Sequence, residues 1–116
     1  MRQTRHFNGL SEAEQERLVI LVEECGEVIQ AASKILRHGY ESTNPKAITP
    51  EDELPETNRS ALERELGDLG HAVRRMEAEA DLNPLAITAR AASKPERIRP
   101  YLHHQPEPWK SGKPEA

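Results

Sequence analysis

Hydrophobic and polar residues follow a helical period in the first half of the chain. From Ser11 to about Arg37, apolar residues recur every three or four positions, which predicts a long amphipathic helix. Ser11 and Glu14 have the spacing of a capping box at its start, and Gly39 is placed to end it.

A second helical stretch follows a polar connector, residues 39–59, which contains three prolines. It begins near Ser60, where Ser60 and Glu63 repeat the capping pattern, and it continues to about Ala80. Connectors of this length in a small domain are commonly functional or mobile.

A third, shorter helix is predicted after the second one. Asn83 serves as its N-cap and Pro84 as its first-turn proline, and the pattern runs to about Ser93. Pro95 interrupts it there, with room for a further turn over residues 97–102. These elements predict an all-α helical bundle.

The end of the chain differs in composition from the rest. Residues 105–116 are rich in Pro, Lys and Glu and have little to bury, so we expect them to be disordered. One domain over residues 1–104 is therefore expected, followed by this tail. With 35% hydrophobic residues and one Trp, one Phe and two Tyr, that domain has a thin core. A second subunit that covers an apolar face would bury more hydrophobic area than this thin core can, so a homodimer or homotetramer is expected.

Charge and cysteine content narrow the possible partners. The formal net charge of −4 argues against binding to nucleic-acid polymers, which needs dense Lys and Arg. It leaves small phosphorylated ligands open, because bound divalent cations reverse the local sign of a carboxylate site. Cys25 is the single cysteine and lies on the apolar face of the first helix, where a small core residue is expected. No apolar run has the length of a membrane span and the first ten residues have no signal-peptide core, so a soluble, cytoplasmic protein is expected.

Glu24 interrupts the apolar face of the first helix. On a wheel of about 100° per residue with Glu24 at zero, apolar side chains fill an arc from roughly 20° to 160°. Ala31 and Ile20 lie on the other side of it, at about −20° and −40°. Glu27 follows one turn later, at roughly −60°.

The second helix repeats this arrangement. Glu65 lies between an apolar arc on one side and Ala72 and Ala61 on the other, and Asp68 follows one turn later. If the two helices pack antiparallel, the four carboxylates meet.

Carboxylates on a packing face are costly unless a positive charge meets them. No basic residue follows four positions after Glu24, Glu27 or Glu65. Glutamates in helices are usually solvated, but here two interrupt apolar stripes and the same spacing occurs twice. Oxygen-rich clusters of this kind suit Mg²⁺ or Mn²⁺.

The strings LVEECGE (21–27) and ELGD (65–68) resemble the EExxE and ExxD signature of the all-α nucleoside triphosphate pyrophosphohydrolases. Within that superfamily the chain is most similar to the short MazG-like proteins of bacteria and phages, over residues 10–82. The resemblance implies hydrolysis of a nucleoside triphosphate, canonical or modified, to the monophosphate and pyrophosphate.

The resemblance also implies roles for individual residues. Mg²⁺, or Mn²⁺ in its place, would be held by Glu24, Glu27, Glu65 and Asp68. The cation would neutralise phosphate charge and lower the pKa of a water. Glu23 or Glu24 would act as general base, and the sequence leaves open which of them does so.

Several basic and polar residues are candidates for contacts with the substrate. Lys34 lies two turns after Glu27 on the same face. The other candidates lie at helix ends or in the C-terminal segment after the third helix: Arg37, His38, Asn58, Arg59 and Lys94. Each also has a structural explanation, since Lys stems snorkel and helix ends favour such residues.

Two other functions fit the same residues. One is a non-catalytic helical oligomerisation or regulatory protein that has kept the fold. The other is a pyrophosphohydrolase that acts on a phosphoribosyl compound rather than on a free nucleotide.

Overall fold

Three α-helices account for most of the described chain. In a computed structural model, the residues described are 7–43 and 55–106. Over these ranges the chain is helical and contains no strand, which confirms the all-α class. The helices, in chain order, are α1 (Glu12–His38), α2 (Asn58–Ala78) and α3 (Pro84–Ile98), with a 3₁₀ turn at Arg99–Tyr101.

The ends of α1 are those that the sequence predicts. The Ser11 Oγ accepts a hydrogen bond from the Glu14 N–H at 3.1 Å, and the Ser11 N–H donates to the Glu14 carboxylate at 2.8 Å. At the other end Gly39 adopts φ +89°, and its N–H donates to the Ile35 carbonyl at 2.7 Å. The capping box and the glycine stop are both confirmed.

Helix α2 begins before the predicted position. Thr57, not Ser60, is its N-cap, and the Thr57 Oγ1 accepts from the Ser60 N–H at 3.1 Å. Thr57 also forms an antiparallel bridge with Thr43, so the backbone before the helix is already fixed there. The prediction of a cap at Ser60 is therefore wrong. Helix α2 ends two residues before the predicted Ala80, which adopts φ +63°.

Helix α3 begins as predicted and continues further. The Asn83 Oδ1 accepts from the Leu85 N–H at 2.9 Å, which confirms the cap. The predicted end near Ser93 is wrong, because the helix runs through Pro95 to Ile98. Proline lacks the amide that would bond the Ala91 carbonyl, four residues earlier; in the same turn, the Arg90 carbonyl accepts from the Ser93 Oγ and the Arg97 guanidinium. These side-chain bonds support the turn that contains Pro95.

The chain separates into two compact units, Met1–Asp81 and Leu82–Ala116. The first contains α1 and α2, and the second contains α3. The expected single domain over residues 1–104 stays a prediction. The expected disorder after residue 104 falls outside the described residues, apart from Gln105 and Pro106. None of the helices in the described part is long and apolar enough to cross a membrane.

Helices α1 and α2 pack antiparallel, as expected. The Arg17 guanidinium near the start of α1 binds the Asp81 carboxylate after the end of α2, at 2.5 and 3.0 Å. At the opposite end, the Asn58 N–H donates to the Ser42 carbonyl at 2.9 Å. Contacts at both ends fix the register of one helix against the other.

The two helices pack most closely on the faces that carry Glu24 and Glu65. The buried apolar residues of the described chain are Ala31, Ala72 and Met76, and all lie within about 20° of Glu24 or Glu65 on their helices. One edge of the predicted apolar arc of α1 is exposed instead. This exposed edge comprises Val22, Ile29 and Leu36. Cys25 is exposed as well, so the expectation that it is a core residue is wrong.

Candidate metal centre

Four carboxylates from the two helices converge at one point of the packing. Glu24 and Glu27 project from α1 and Glu65 and Asp68 from α2, and one oxygen from each lies within 4.8 Å of the others. Spacing of three residues places both acids of each helix on one face. Antiparallel packing then brings the two faces together. We call these four residues the carboxylate cluster.

The cluster extends from the interior to the surface. Glu65 is only 8% exposed, Glu24 and Glu27 are half-buried, and Asp68 is exposed. The Oε2 atoms of Glu24 and Glu65 are buried and have no hydrogen-bond partner among the described residues. Buried carboxylate oxygens without a donor are costly, so the arrangement needs a positive ligand or a proton.

Protonation partly compensates for this cost in the absence of a cation. The hydrogen bond that a protonated Glu27 makes with Glu65, and the charge of Glu65, raise the pKa of Glu27 to about 7. Burial, followed by the charges of Asp68, Glu23 and Glu65, also raises the pKa of Glu24. Glu27 thus holds its proton well above the ordinary carboxylate range.

The donor set fits a hard divalent cation. All four groups offer carboxylate oxygens, and two of these oxygens are buried without a partner. Opposite ligands of Mg²⁺ lie roughly 4.2 Å apart, so small side-chain rotations would bring the oxygens into coordination distance. The open side at Asp68 leaves room for water or for a ligand.

Arg64 is the cluster's basic neighbour. Its Nη1 lies 2.6 Å from the Oε1 of Glu65, while its Nε and Nη2 bind the two carboxylate oxygens of Glu56 at 3.0 and 3.1 Å. The hydrogen bonds from Arg64 lower the pKa of Glu56. The sequence analysis missed this residue because it considered partners four positions away, whereas Arg64 immediately precedes Glu65.

A cleft of about 420 Å³ opens beside Arg64, between the end of α1 and the start of α2. Four of the six predicted substrate-binding residues line it: Lys34, Arg37, His38 and Asn58. Within the described ranges Lys34 and Arg37 form no ion pair. The Asn58 side-chain amide donates to the Gly39 carbonyl at 3.1 Å, so this residue also fixes the helix junction. We call this feature the basic cleft.

The remaining predicted site residues lie elsewhere. Arg59 does not line the basic cleft; it pairs with Glu41 at 2.7 Å, and its guanidinium lies 4.3 Å from the centre of the Tyr40 ring. Lys94 lies in the second unit, in a shallow groove of α3. Glu23 is exposed and outside the carboxylate cluster, although its charge raises the pKa of Glu24.

Comparisons of the chain with family models, with curated proteins and with solved structures give no match. The carboxylate cluster and the basic cleft are therefore the features of this chain that point to a function.

Proposed function

We propose that the protein is a MazG-like nucleotide pyrophosphohydrolase that uses Mg²⁺ to convert a nucleoside triphosphate to its monophosphate and pyrophosphate. The observation that carries the proposal is the buried, unpartnered carboxylate oxygen of Glu65 inside a cluster of four acids. A structural ion network would give such an oxygen a donor, whereas a cation site leaves it free for a ligand. The basic cleft beside the cluster supplies the positive side chains that a triphosphate needs in addition to the cation.

The cation would be held by Glu24, Glu27, Glu65 and Asp68. When bound, Mg²⁺, or Mn²⁺ in its place, would neutralise phosphate charge and make a water more acidic. The half-buried position of the cluster between two packed helices would fix the direction from which the phosphates approach.

The chain's own residues divide the remaining work. In the reaction, a water oxygen bonds to the α-phosphorus, and the bond from that phosphorus to the oxygen that bridges to the β-phosphate breaks. Glu23 or Glu24 accepts the proton of the water. Glu23 is exposed and lies outside the carboxylate cluster, whereas Glu24 belongs to the cluster and would serve as a cation ligand as well.

The basic cleft would hold the leaving phosphates. Lys34 and Arg37 offer charges without a partner in the described chain, and His38 and Asn58 offer further donors beside them. Arg59 pairs with Glu41 and Lys94 belongs to the second unit, so their predicted contacts with the substrate stay predictions and do not support this proposal. The substrates and Mg²⁺ are abundant in the cytoplasm, where we place the protein.

The exposed edge of α1 supports a homodimer or homotetramer. Val22, Ile29 and Leu36 are 70%, 67% and 87% exposed and recur every seven residues on one side of the helix. A second copy packed on this edge would remove these side chains from water.

A panel of nucleotides tests the proposal. Canonical and modified nucleoside triphosphates, together with phosphoribosyl pyrophosphate compounds, are incubated with the protein and Mg²⁺, and released pyrophosphate is measured. We expect Mg²⁺-dependent release from at least one nucleoside triphosphate. Release from the phosphoribosyl compounds alone would show that the protein acts on that substrate class and not on nucleoside triphosphates. No release, with no cation-dependent rise in melting temperature, would leave a non-catalytic regulatory protein.

Charge-neutral variants of the cluster provide the control. Glu24→Gln and Asp68→Asn should abolish Mn²⁺ binding and turnover, because each removes a cation ligand. In EDTA their melting temperatures should equal or exceed that of the wild type, since each relieves repulsion between carboxylates. Lower melting temperatures in EDTA with intact turnover would show that these acids are structural.

A further inference from the structure

We infer that Arg64 is a phosphate-positioning residue that Glu56 anchors and that Glu65 holds until a cation occupies the carboxylate cluster, so that cation and phosphate binding strengthen each other. This inference rests on the proposed function and adds to it a residue that links the cluster to the basic cleft.

The position of Arg64 between the two features is the first argument. Its guanidinium contacts the Oε1 of Glu65 at 2.6 Å and both carboxylate oxygens of Glu56 at 3.0 and 3.1 Å. The same residue lines the basic cleft with Lys34 and Arg37. No other residue in the described ranges both contacts the cluster through a salt bridge and lines this cleft.

Competition for Glu65 is the second argument. A cation in the cluster and the guanidinium of Arg64 are two positive charges that draw on the same carboxylate. Bringing the cation in weakens the attraction between Glu65 and Arg64, and Arg64 in turn opposes the entry of the cation. The short contact at Glu65 is therefore the one that cation binding changes.

The destination of the released guanidinium is the third argument. The Arg64 side chain is 55% exposed and already borders the cleft, so with Nε and Nη2 still bound to Glu56, its Nη1 and the second hydrogen of Nη2 can face a phosphate there. A planar guanidinium binds a phosphate through two parallel hydrogen bonds, which an ammonium does not provide. Beside Lys34 and Arg37, it would complete a three-sided phosphate site.

Arg64→Gln and its control Arg75→Gln test the inference. Both arginines lie on α2, both side chains are 55% exposed and both pair with a glutamate, but Arg75 pairs with Glu79, away from the cluster and the cleft. Mn²⁺ affinity is measured by titration without phosphate. Inorganic pyrophosphate affinity is then measured in a fixed excess of Mn²⁺, so that the pyrophosphate carries the same cation with every variant.

The expected effects of Arg64→Gln have opposite signs. Mn²⁺ should bind about fivefold more tightly, because the competing charge is gone. Pyrophosphate should bind about tenfold more weakly, because a charge-assisted pair of hydrogen bonds is lost. Arg75→Gln should change neither affinity. A merely structural Arg64 would instead lower Mn²⁺ affinity on substitution and leave pyrophosphate affinity unchanged, which would overturn the inference.

The outcomes separate this inference from the proposed function. If the wild type binds no Mn²⁺, the proposed function fails and the inference with it. If the wild type binds Mn²⁺ and pyrophosphate, and Arg64→Gln matches Arg75→Gln, the inference alone fails. If Arg64→Gln does not fold, Arg64→Lys, which keeps the charge, is used in its place. We expect this variant to bind Mn²⁺ with near wild-type affinity and pyrophosphate severalfold more weakly. Unchanged pyrophosphate affinity would overturn the inference.

Discussion

Glu27 is the residue at which the folding and the proposed chemistry of this protein meet. Its pKa is raised from 4.5 to about 7 by Glu65, so in the folded protein without a cation it holds a proton that the unfolded chain releases. The same carboxylate must lose this proton to bind a cation. Proton and cation therefore compete for one position.

This competition predicts a pH dependence of stability in EDTA. Between about pH 5 and 7 the folded state binds more protons than the unfolded state, so the free energy of unfolding should fall as pH rises through this range and level off above it. Glu24 acts in the same direction, whereas Glu56 and Asp81, whose pKa values are lowered, act below this range. Melting temperatures measured at pH 5, 6 and 7 check the sign.

Glu27→Gln should flatten this slope, and Glu63→Gln, which removes an exposed carboxylate outside the cluster, should not. Mn²⁺ affinity should rise with pH over the same interval, by up to about tenfold per pH unit for the release of one proton. A melting temperature that rises from pH 5 to 7 in EDTA would contradict this account of Glu27.

Single residues also mark the limit of what the sequence could predict about the site. Glu24 and Glu65 stood out because they interrupt apolar stripes, and their convergence with Glu27 and Asp68 is confirmed. Arg64 did not stand out, because its position depends on Glu56, eight residues earlier and outside any helix. A helical wheel contains no such contact.

At the scale of the element, local capping chemistry predicted three of the six helix ends. Ser11, Gly39 and Asn83 act as the sequence predicts, since each has a side chain or a backbone freedom that suits its position. Thr57 and Ser60 offered two hydroxyls three residues apart, and the bridge from Thr57 to Thr43, which is distant in sequence, decided between them. Long-range pairing of this kind is invisible to a local pattern.

The choice between these two caps is testable by substitution. Thr57→Ala should lower the free energy of unfolding by about 1 kcal/mol, because the Ser60 amide loses its acceptor. Ser60→Ala, at an exposed position in the first turn of α2, should change it by less than about 0.5 kcal/mol. Urea denaturation of both variants gives the comparison, and a larger loss for Ser60→Ala would show that α2 begins where the sequence first suggested.

At the scale of the whole molecule, the packing of α1 on α2 leaves apolar side chains uncovered. The helices meet on the faces that carry Glu24 and Glu65, so Val22, Ile29 and Leu36 lie outside the interface. The sequence analysis placed these residues in the core because a wheel gives the angles of side chains but not the direction from which a neighbouring helix arrives.

A charge on this edge should therefore disrupt the proposed assembly. Ile29→Lys is expected to raise the dissociation constant of the oligomer by roughly tenfold or more. Gln30→Lys, at the exposed neighbouring position, should leave it unchanged. Size-exclusion chromatography with light scattering, over a range of concentrations, measures both. A wild-type protein that is monomeric throughout would disprove the assembly.

The bridge between Thr43 and Thr57 has a consequence for how such a protein evolves. It brings the start and the finish of the intervening stretch to one place, beside the opening through which phosphates would enter. The entropy of closing a loop grows only slowly with its length, so insertions and deletions in the sequence between residues 44 and 54 should leave the carboxylate cluster and the Glu56–Arg64 pair where they are. A lineage can therefore lengthen or shorten this part of the chain at little cost to the packing of α1 against α2.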